Sequence, residues 1–268
     1  MRKVSFFIAG VQKGGTTALD GYLRRHTQIQ MARIKEVHHF DDETHVDWAD
    51  PRHDRLHNQF DWDADDVVRG EATPIYTYWP QSISRLQQYN PNAKLLVTLR
   101  HPVYRAYSHW KMETKRKQDH LAFEDAFAAR HRVANAPGGV HRVFSYADRG
   151  FYKIQVERVL AHFPRSQVMF MKVDDLWTDP QRVLAGIETF LTVRPEFDSV
   201  ERTYTVPVET RSMGAVPRPV FERLASLYHD DIAATANLTG LNLSDWLDNE
   251  FVEPMDAASV GLQVSVIE

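Results

Sequence analysis

A glycine-rich turn near the start of the sequence has the residue types and the position of a phosphate-binding loop. Residues 10–15 (G-V-Q-K-G-G) follow a short apolar run at 4–9 and precede residues 16–26, where apolar side chains have helical spacing. In a loop between a strand and a helix, backbone N–H groups and the positive end of the helix hold an anion. The residues that we predict to bind a phosphate are Lys13, Gly14, Gly15, Thr16 and Thr17.

This loop differs from that of the enzymes that bind nucleoside triphosphates. Their motif, G-x-x-x-x-G-K-[ST], has a lysine directly after the second glycine. Gly10 and Gly15 have the right spacing, but Thr16 stands where that lysine would contact the β- and γ-phosphates. The cation is instead Lys13, inside the loop, where it would lie beside the first phosphate and the group attached to it. This arrangement favours transfer of a group directly from a 5′-phosphate.

A second basic position follows the apolar segment 94–99 (K-L-L-V-T-L). Nucleotide-triphosphate enzymes usually have a Mg²⁺-binding aspartate at the end of such a strand. Here the strand ends in Arg100, and a guanidinium binds an anion. Ser108 lies two turns along a helix predicted from residue 103 to about 117, roughly on the side where that helix starts. Arg100 and Ser108 are therefore predicted to bind one phosphate together.

Residues 35–40 (K-E-V-H-H-F) contain the groups that could remove a proton from an acceptor. They follow soon after the first predicted helix, so the chain could return a carboxylate to the phosphate loop. We predict that Glu36 is the general base and that Lys13 neutralises the leaving oxygen. His38 would share the face of Glu36 if the segment is extended, and it could position the acceptor or be the base itself.

The elements that must position these residues are those of an α/β protein. The chain has 268 residues, of which 43% are hydrophobic and 25% charged, enough for one large core. Apolar runs at 4–9, 94–99 and 168–173 alternate with helical patterns, the last of them at 180–191. This alternation predicts a mostly parallel central sheet covered by helices on both faces. Without a repeat or linker in the sequence, we expect one domain over residues 1–268.

Charge and cysteine content exclude several classes of function. The net charge of -4 argues against a general nucleic-acid-binding protein, which normally has a strongly basic face. No apolar run is long enough to cross a bilayer, so no membrane span is expected. The chain has no cysteine, which excludes disulfides, cysteine nucleophiles and thiolate metal sites. This composition fits a reducing cytoplasm, where we expect the protein to be located.

Residues 41–66 are dense in aspartate and histidine and have little periodicity. We interpret them as a solvated loop that could cover the acceptor as a lid. His45, His53 and His57 are metal ligands by residue type, but their spacing is not that of a metal-binding motif. No metal site is predicted.

Taken together, these motifs resemble those of the sulfotransferases that use 3′-phosphoadenosine 5′-phosphosulfate (PAPS). The resemblance lies in Q-K-G-G-T-T at 12–17, K-E-V-H-H-F at 35–40 and L-R-H-P at 99–102, followed by Ser108. It is strongest to the branch that contains the heparan sulfate sulfotransferases. It implies a P-loop-like α/β fold and transfer of sulfonate to an acceptor hydroxyl, in preference to an amine, of a carbohydrate or small metabolite. The product of the donor is adenosine 3′,5′-bisphosphate (PAP).

The resemblance also implies roles for individual residues. The residues from Lys13 to Thr17 would hold the 5′-phosphosulfate, and Arg100 and Ser108 would hold the 3′-phosphate. The residues that would complete the nucleotide pocket are Tyr152, Arg211, Ser212, Met213 and Gly214.

One position departs from the heparan sulfate enzymes. Their motif at 71–74 (here E-A-T-P) usually has a lysine after the glutamate, where this chain has Ala72. The missing cation and the acidic stretch at 41–66 both disfavour a polyanionic polysaccharide as the acceptor.

Two other functions are compatible with a phosphate loop. An ATP-dependent small-molecule kinase would depend on Mg²⁺, and Thr16 and Arg100 stand where its lysine and aspartate would be. A nucleotide-binding module without catalysis would not need Lys13 and Glu36, both of which are present.

Overall fold

A computed structural model gives the fold and describes residues 2–197, 203–205, 215–254 and 263–265. The strands are β1 Phe6–Gly10, β2 Ile29–Met31, β3 Val68–Ala72, β4 Lys94–Leu99, β5 Val168–Lys172, β6 Thr203–Thr205 and β7 Gln263–Ser265. The helices are α1 Thr16–Leu23, α2 Asp54–His57, α3 Ser82–Tyr89, α4 Pro102–Lys115, α5 Phe123–Ala128, α6 His131–Ala134, α7 Tyr152–His162, α8 Val173–Thr178, α9 Pro180–Leu191, α10 Arg218–Ala225 and α11 His229–Thr239.

The chain forms two compact units. The first contains Met1–Leu99 and Arg158–Glu201, and the second contains Arg100–Glu157 and Arg202–Glu268. The chain passes from the second unit to the first within α7. The expectation of one domain over residues 1–268 stays a prediction.

The first unit is built on a five-stranded sheet with the order β2-β3-β1-β4-β5, in which every neighbouring pair is parallel. The predicted α/β class with a central parallel sheet is therefore confirmed. The chain adds β2 and β3 on one side of β1 and then crosses to add β4 and β5 on the other. Ligands of open α/β sheets bind at the carboxyl ends of the strands, at the point where the order reverses. Here that point is the loop that follows β1.

Apolar side chains cover both faces of this sheet. On one face, Phe6 and Ile8 belong to a buried core that includes residues of α1 and α9. On the other face, the ring of Phe7 makes edge-on contacts with Phe40 and Tyr89, with centroids 5.6 and 6.4 Å apart. All five residues of β1 are buried, which is why the strand F-F-I-A-G has no polar side chain.

The strongest sequence patterns predict their elements closely. The bounds of β4 and α9 are the predicted ones, and β5 ends one residue before the predicted end at 173. The sequence patterns predict neither β2 nor β3, because β2 has three residues and β3 (V-R-G-E-A) carries two charged side chains. Gly70 lets β3 approach β1 closely, since a Cβ atom there would lie 2.1 Å from Cζ of Phe6.

In the second unit, α4 begins directly after Arg100 and His101. Pro102 occupies the first turn, and His101 Nδ1 accepts a hydrogen bond from the Val103 N–H at 3.3 Å. The His101 ring is fully buried and stacks on Phe251, with centroids 5.1 Å apart. These contacts fix the backbone next to Arg100. None of the helices in the described ranges is long and apolar enough to cross a membrane.

Candidate active site

Two positions in the loop after β1 can be occupied only by glycine. Gly15 adopts a left-handed φ of 80°, and a Cβ atom there would lie 2.4 Å from Cγ2 of Val173. A Cβ atom at Gly14 would lie 2.8 Å from the carbonyl oxygen of Thr98. The same carbonyl accepts the Val11 N–H at 2.9 Å, so the loop is packed tightly against the end of β4.

The amino end of α1 suits an anion. The helix begins at Thr16 after Gly15, without a side-chain cap and without an acidic residue in its first turn. The first N–H groups of a helix have no partner within the helix, and the helix dipole makes this end positive. Lys13 is half-buried in the loop beside it. These features fit the 5′-phosphate of a nucleotide, and the roles of Lys13, Thr16 and Thr17 stay predictions.

The segment that carries Glu36 and His38 is tied to the carboxyl end of β3 and the turn after it. Four successive N–H groups donate to this part of the chain: Glu36 to the Ala72 carbonyl at 2.9 Å, Val37 to the Glu71 carboxylate at 3.2 Å, His38 to the Thr73 hydroxyl at 3.3 Å and His39 to the Tyr76 hydroxyl at 3.2 Å. The neighbouring Thr77 donates its N–H to the carbonyl of Ala9 at the end of β1. Residues 71–77 thus support both the phosphate loop and the segment with Glu36.

This segment has an unusual backbone. Glu36 and His38 both adopt the left-handed region, with φ of 64° and 52°. Such a conformation costs a non-glycine residue about 1–3 kcal/mol. The four hydrogen bonds to residues 71–76 compensate for this cost and aim both side chains.

Glu36 lies between two cations. One of its carboxylate oxygens is 2.8 Å from Nζ of Lys35, and the other is 3.4 Å from Nε2 of His38. Burial alone would raise the pKa of Glu36, but hydrogen bonds and charges from His38 and Lys35 outweigh it and lower that pKa to about 2. Glu36 is therefore a carboxylate at neutral pH.

His38 lies between two carboxylates, because its Nδ1 is also 2.9 Å from Oδ2 of the fully buried Asp41. Burial alone would lower the pKa of His38, but hydrogen bonds and charges from Asp41 and Glu36 raise it to about 9. His38 is then an imidazolium at neutral pH and has no nitrogen that can accept a proton. Of the two candidate bases, the electrostatics favour Glu36.

The two assignments predict opposite pH dependence on the alkaline side. With Glu36 as the base, we expect kcat/KM to fall as the pH rises through about 9, because His38 loses the proton that holds Glu36. With His38 as the base, kcat/KM would rise through the same pH. Rates measured across this range decide between them. A His38→Asn variant, which cannot titrate, should lose the alkaline fall in kcat/KM. An unchanged fall would show that it does not come from deprotonation of His38.

Arg100 already binds an anion in the second unit. Its Nε and Nη2 atoms donate to the two carboxylate oxygens of Glu253, at 2.7 and 2.5 Å. Glu253 is fully buried and the side chain of Arg100 is nearly so. Arg100 is thus paired with a carboxylate of the same chain, and its role at the 3′-phosphate stays a prediction.

Tyr152 supports the backbone of Arg100. It is fully buried, and its hydroxyl donates to the carbonyl oxygen of Arg100 at 2.6 Å. Burial raises the pKa of Tyr152, so it remains a phenol that can donate this bond. Ser108 is half-buried on α4. The nucleotide contacts predicted for Tyr152 and Ser108 stay predictions, and Arg211, Ser212, Met213 and Gly214 lie outside the described residues.

The acidic stretch at 41–66 contains α2 and several ion pairs. Asp42 pairs with Arg55 at 2.9 Å, and Glu43 makes a bidentate pair with Arg85 at 2.7 and 2.8 Å. Part of the negative charge of this stretch is therefore compensated within the first unit. Its role as a lid stays a prediction.

The three histidines of this stretch have separate hydrogen-bond partners. His45 contacts Asp42, His53 contacts His39 at 2.8 Å, and His57 contacts the Tyr89 hydroxyl at 3.0 Å, as donor or acceptor. Among the described residues, no group of three or more acidic or histidine side chains could hold a metal ion.

Comparison with known proteins places the chain in a family. It matches the family model described as Sulfotransferase domain over residues 3–206. The chain belongs to the sulfotransferase family. It is 30% identical over 187 residues to heparan sulfate glucosamine 3-O-sulfotransferase 3A1 of Mus musculus, covering 70% of this chain and 45% of that protein. It is 31% identical over 189 residues to heparan sulfate glucosamine 3-O-sulfotransferase 6 of Homo sapiens, covering 70% and 52%.

The chain thus spans about half the length of these curated sulfotransferases. Among solved structures, a sulfotransferase from Alicyclobacillus acidocaldarius is similar with a TM-score of 0.77 and 28% identity, covering 92% of this chain and 100% of that one. A sulfotransferase domain from the curacin biosynthetic pathway has a TM-score of 0.51 and 15% identity, which shows the fold alone. The predicted resemblance to sulfotransferases, including the heparan sulfate branch, is confirmed.

In this member of the sulfotransferase family, sequence patterns missed several residues at the candidate site. Glu71, Thr73 and Tyr76 hold the segment with Glu36, although they lie more than 30 positions away in the sequence. Asp41 contacts His38 from three positions further along, and that short spacing is the signal that could have identified it. Ala72, where the heparan branch usually has lysine, lies in the apolar core and is 1% exposed.

Proposed function

We propose that the protein transfers the sulfonate group of PAPS to a hydroxyl group of a carbohydrate or small metabolite and releases PAP. The observation that carries this proposal is the loop after β1, which opens α1 and has Lys13 inside it and Thr16 in place of the kinase lysine. Membership of the sulfotransferase family supports PAPS as the donor. We also propose a cytoplasmic location, with which a chain without cysteine is compatible.

The residues of the chain divide the chemistry between them. PAPS supplies a sulfonate attached to a phosphate oxygen, and transfer needs an acceptor oxygen in line with that bond. Glu36, ionised between Lys35 and His38, would take the proton of the acceptor hydroxyl. Lys13 would neutralise the phosphate oxygen as it leaves. Thr16 would donate to the same 5′-phosphate.

An acceptor without many negative charges fits the surroundings of Glu36 better than a polyanionic chain. Ala72 supplies no cation, and its side chain packs in the core. Asp47 and Asp50, in the stretch that follows the segment with Glu36, are exposed and would repel a polyanion. The similarity to the heparan sulfate enzymes therefore supports the same sulfonate donor more strongly than it supports the same acceptor.

The proposal is tested by incubating the protein with isotopically labelled PAPS and a panel of hydroxyl and amine acceptors, and by identifying the products by mass. Parallel reactions contain ATP with Mg²⁺, or PAPS with a chelator. We expect sulfated products that persist with the chelator. Phosphorylated products that require Mg²⁺ would identify a kinase, and tight PAP binding without any product would identify a binding module.

A variant of Arg100 tests the predicted 3′-phosphate site. In a Glu253→Gln background, Arg100→Ala should weaken PAP binding by about 1.5–3 kcal/mol, the contribution of a charge-assisted hydrogen bond, and should leave AMP binding almost unchanged. Both affinities are measured by calorimetry. Because Arg100→Ala alone removes a cation that pairs with the buried carboxylate of Glu253, the matched background is Glu253→Gln, with and without Arg100→Ala. Equal losses for PAP and AMP would remove Arg100 from the 3′-phosphate site.

A further inference from the structure

Glu71 is a buried carboxylate for which the reaction proposed above has no use. It lies in β3 and is fully buried. One of its oxygens accepts the Val37 N–H at 3.2 Å and the hydroxyl of Thr73. Burying a carboxylate away from water is unfavourable unless hydrogen bonds satisfy its oxygens. A smaller apolar residue would avoid this cost, so the hydrogen bonds of Glu71 indicate a role that such a residue could not fill.

The hydrogen bonds of Glu71 support the segment whose backbone is left-handed at Glu36 and His38. Val37, which donates to Glu71, stands between Glu36 and His38, both of which are left-handed. Thr73, which donates its hydroxyl to Glu71, accepts the His38 N–H at 3.3 Å. Glu71 therefore fixes one of these N–H groups directly and orients the hydroxyl that fixes the next.

We propose that Glu71 is a positioning residue, which holds Glu36 and His38 in the geometry for proton removal through Val37 and Thr73. The proposal rests on the proposed sulfotransferase function and goes beyond it by assigning a role to a residue that does not touch the substrate. Without the Glu71 carboxylate, the Val37 N–H is buried without a partner and the Thr73 hydroxyl loses the acceptor that orients it. The segment can then relax toward an ordinary backbone, and the carboxylate of Glu36 moves away from the acceptor.

The protonation state of Glu71 should make this role visible in the pH dependence of kcat. Burial raises the pKa of Glu71 to about 7, and the hydrogen bonds from Thr73, Val37 and Tyr76 offset burial only in part. The negative charge of Asp41 raises that pKa further, while burial keeps Tyr76 a neutral phenol. As the pH falls through about 7, Glu71 gains a proton and becomes a weaker acceptor, so the hold on the segment loosens.

The experiment compares Glu71→Gln and Glu71→Ala with a matched control. The control is Glu188→Gln, because Glu188 is also a buried glutamate of the first unit that accepts backbone N–H groups, those of Glu196 and Phe197 at 2.6 and 3.0 Å. Turnover with PAPS and a hydroxyl acceptor, the Kd of PAP and the pH dependence of kcat are measured for each purified variant. Folding is checked by thermal unfolding.

We expect Glu71→Ala to lower kcat about 100-fold, the effect of misplacing a catalytic group by about 1 Å. Glu71→Gln should lower kcat less, about 10-fold, because its amide oxygen can still accept the Val37 N–H. The wild-type enzyme and Glu188→Gln should lose activity as the pH falls through about 7, and Glu71→Gln should not. The Kd of PAP should stay within about twofold in every variant, since the proposed phosphate contacts come from other residues.

A Glu71→Gln enzyme that keeps wild-type kcat and the acidic loss of activity would overturn the proposal. So would an equal loss of kcat in Glu71→Gln and Glu188→Gln, which would show a general effect of a buried carboxylate. If Glu71→Ala does not fold, Glu71→Gln and its pH profile still decide. A wild-type protein that binds PAP but sulfates no acceptor would contradict the proposed function itself, an outcome that differs from either of these.

Discussion

Replacing Glu36 by glutamine should lower turnover by about 100- to 10,000-fold, the usual loss when a general base is removed. Glutamine has the size of glutamate and can still accept a hydrogen bond from Lys35, which is 2.8 Å from the carboxylate. It cannot take a proton from the acceptor. The Kd of PAP should therefore stay within about twofold while kcat falls. Calorimetry with PAP and single-turnover rates with PAPS measure the two quantities separately.

A control for this variant is Glu43→Gln. Glu43 also pairs with a cation, Arg85, but it is more exposed and has no assigned part in proton transfer. Its replacement should leave turnover near that of the wild type. If Glu36→Gln instead keeps near-normal turnover, Glu36 is not the base and its role is limited to its ion pairs. His38 would then become the leading base, and His38→Ala would be the variant to test.

Replacing Lys13 by alanine should reduce both binding and turnover. Loss of a charge-assisted contact with the donor phosphate should weaken PAPS binding by about 1.5–3 kcal/mol. Loss of a cation at the leaving oxygen should lower kcat by a further 100- to 1,000-fold or so, as when one preorganised donor is removed from a transition state. The combined effect on kcat/KM is the largest that we expect from any single replacement.

The left-handed backbone at Lys13 requires care in the choice of variant. Its φ of 70° is unfavourable for any side chain, so alanine retains this strain, whereas glycine would relieve it and alter the loop. Lys13→Met, which keeps most of the length without the charge, is the matched control for packing. Both variants should behave alike if the ammonium group is what matters. Normal PAPS binding in both would remove Lys13 from the phosphate site.

The sequence predicts the parts of this site that lie close together along the chain. The phosphate loop and Arg100 each follow a short apolar strand, and that local pattern is enough to place them. The sequence predicts Glu36 as the base but leaves His38 as an alternative, because the charges of both depend on Asp41 and on a turn that no periodicity reveals. The positions of Glu36, His38 and Asp41 depend on how strands distant in the sequence pair.

The supports of the site escape sequence analysis for the same reason. The hydrogen bonds between 36–39 and 71–76 continue the pairing of β2 with β3, and β3 carries too many charged residues to be recognised as a strand. The partner of Arg100 is more distant still, since Glu253 lies 153 positions further along the chain. A glutamate in a segment without periodicity gives no sign of which cation it meets.

The ion pair between Arg100 and Glu253 has a consequence for the affinity of any nucleotide that uses this arginine. Two of its donor atoms, Nε and Nη2, are held by a carboxylate, so a phosphate that binds through these atoms must share them or replace Glu253. The measured affinity is then the free energy of an exchange between two anions rather than that of pairing a bare cation. A neutralised guanidinium also attracts ligands weakly from a distance, because opposite charges cancel beyond a few ångströms. Selectivity at this position therefore comes from how well a dianion competes with the protein's own carboxylate at short range.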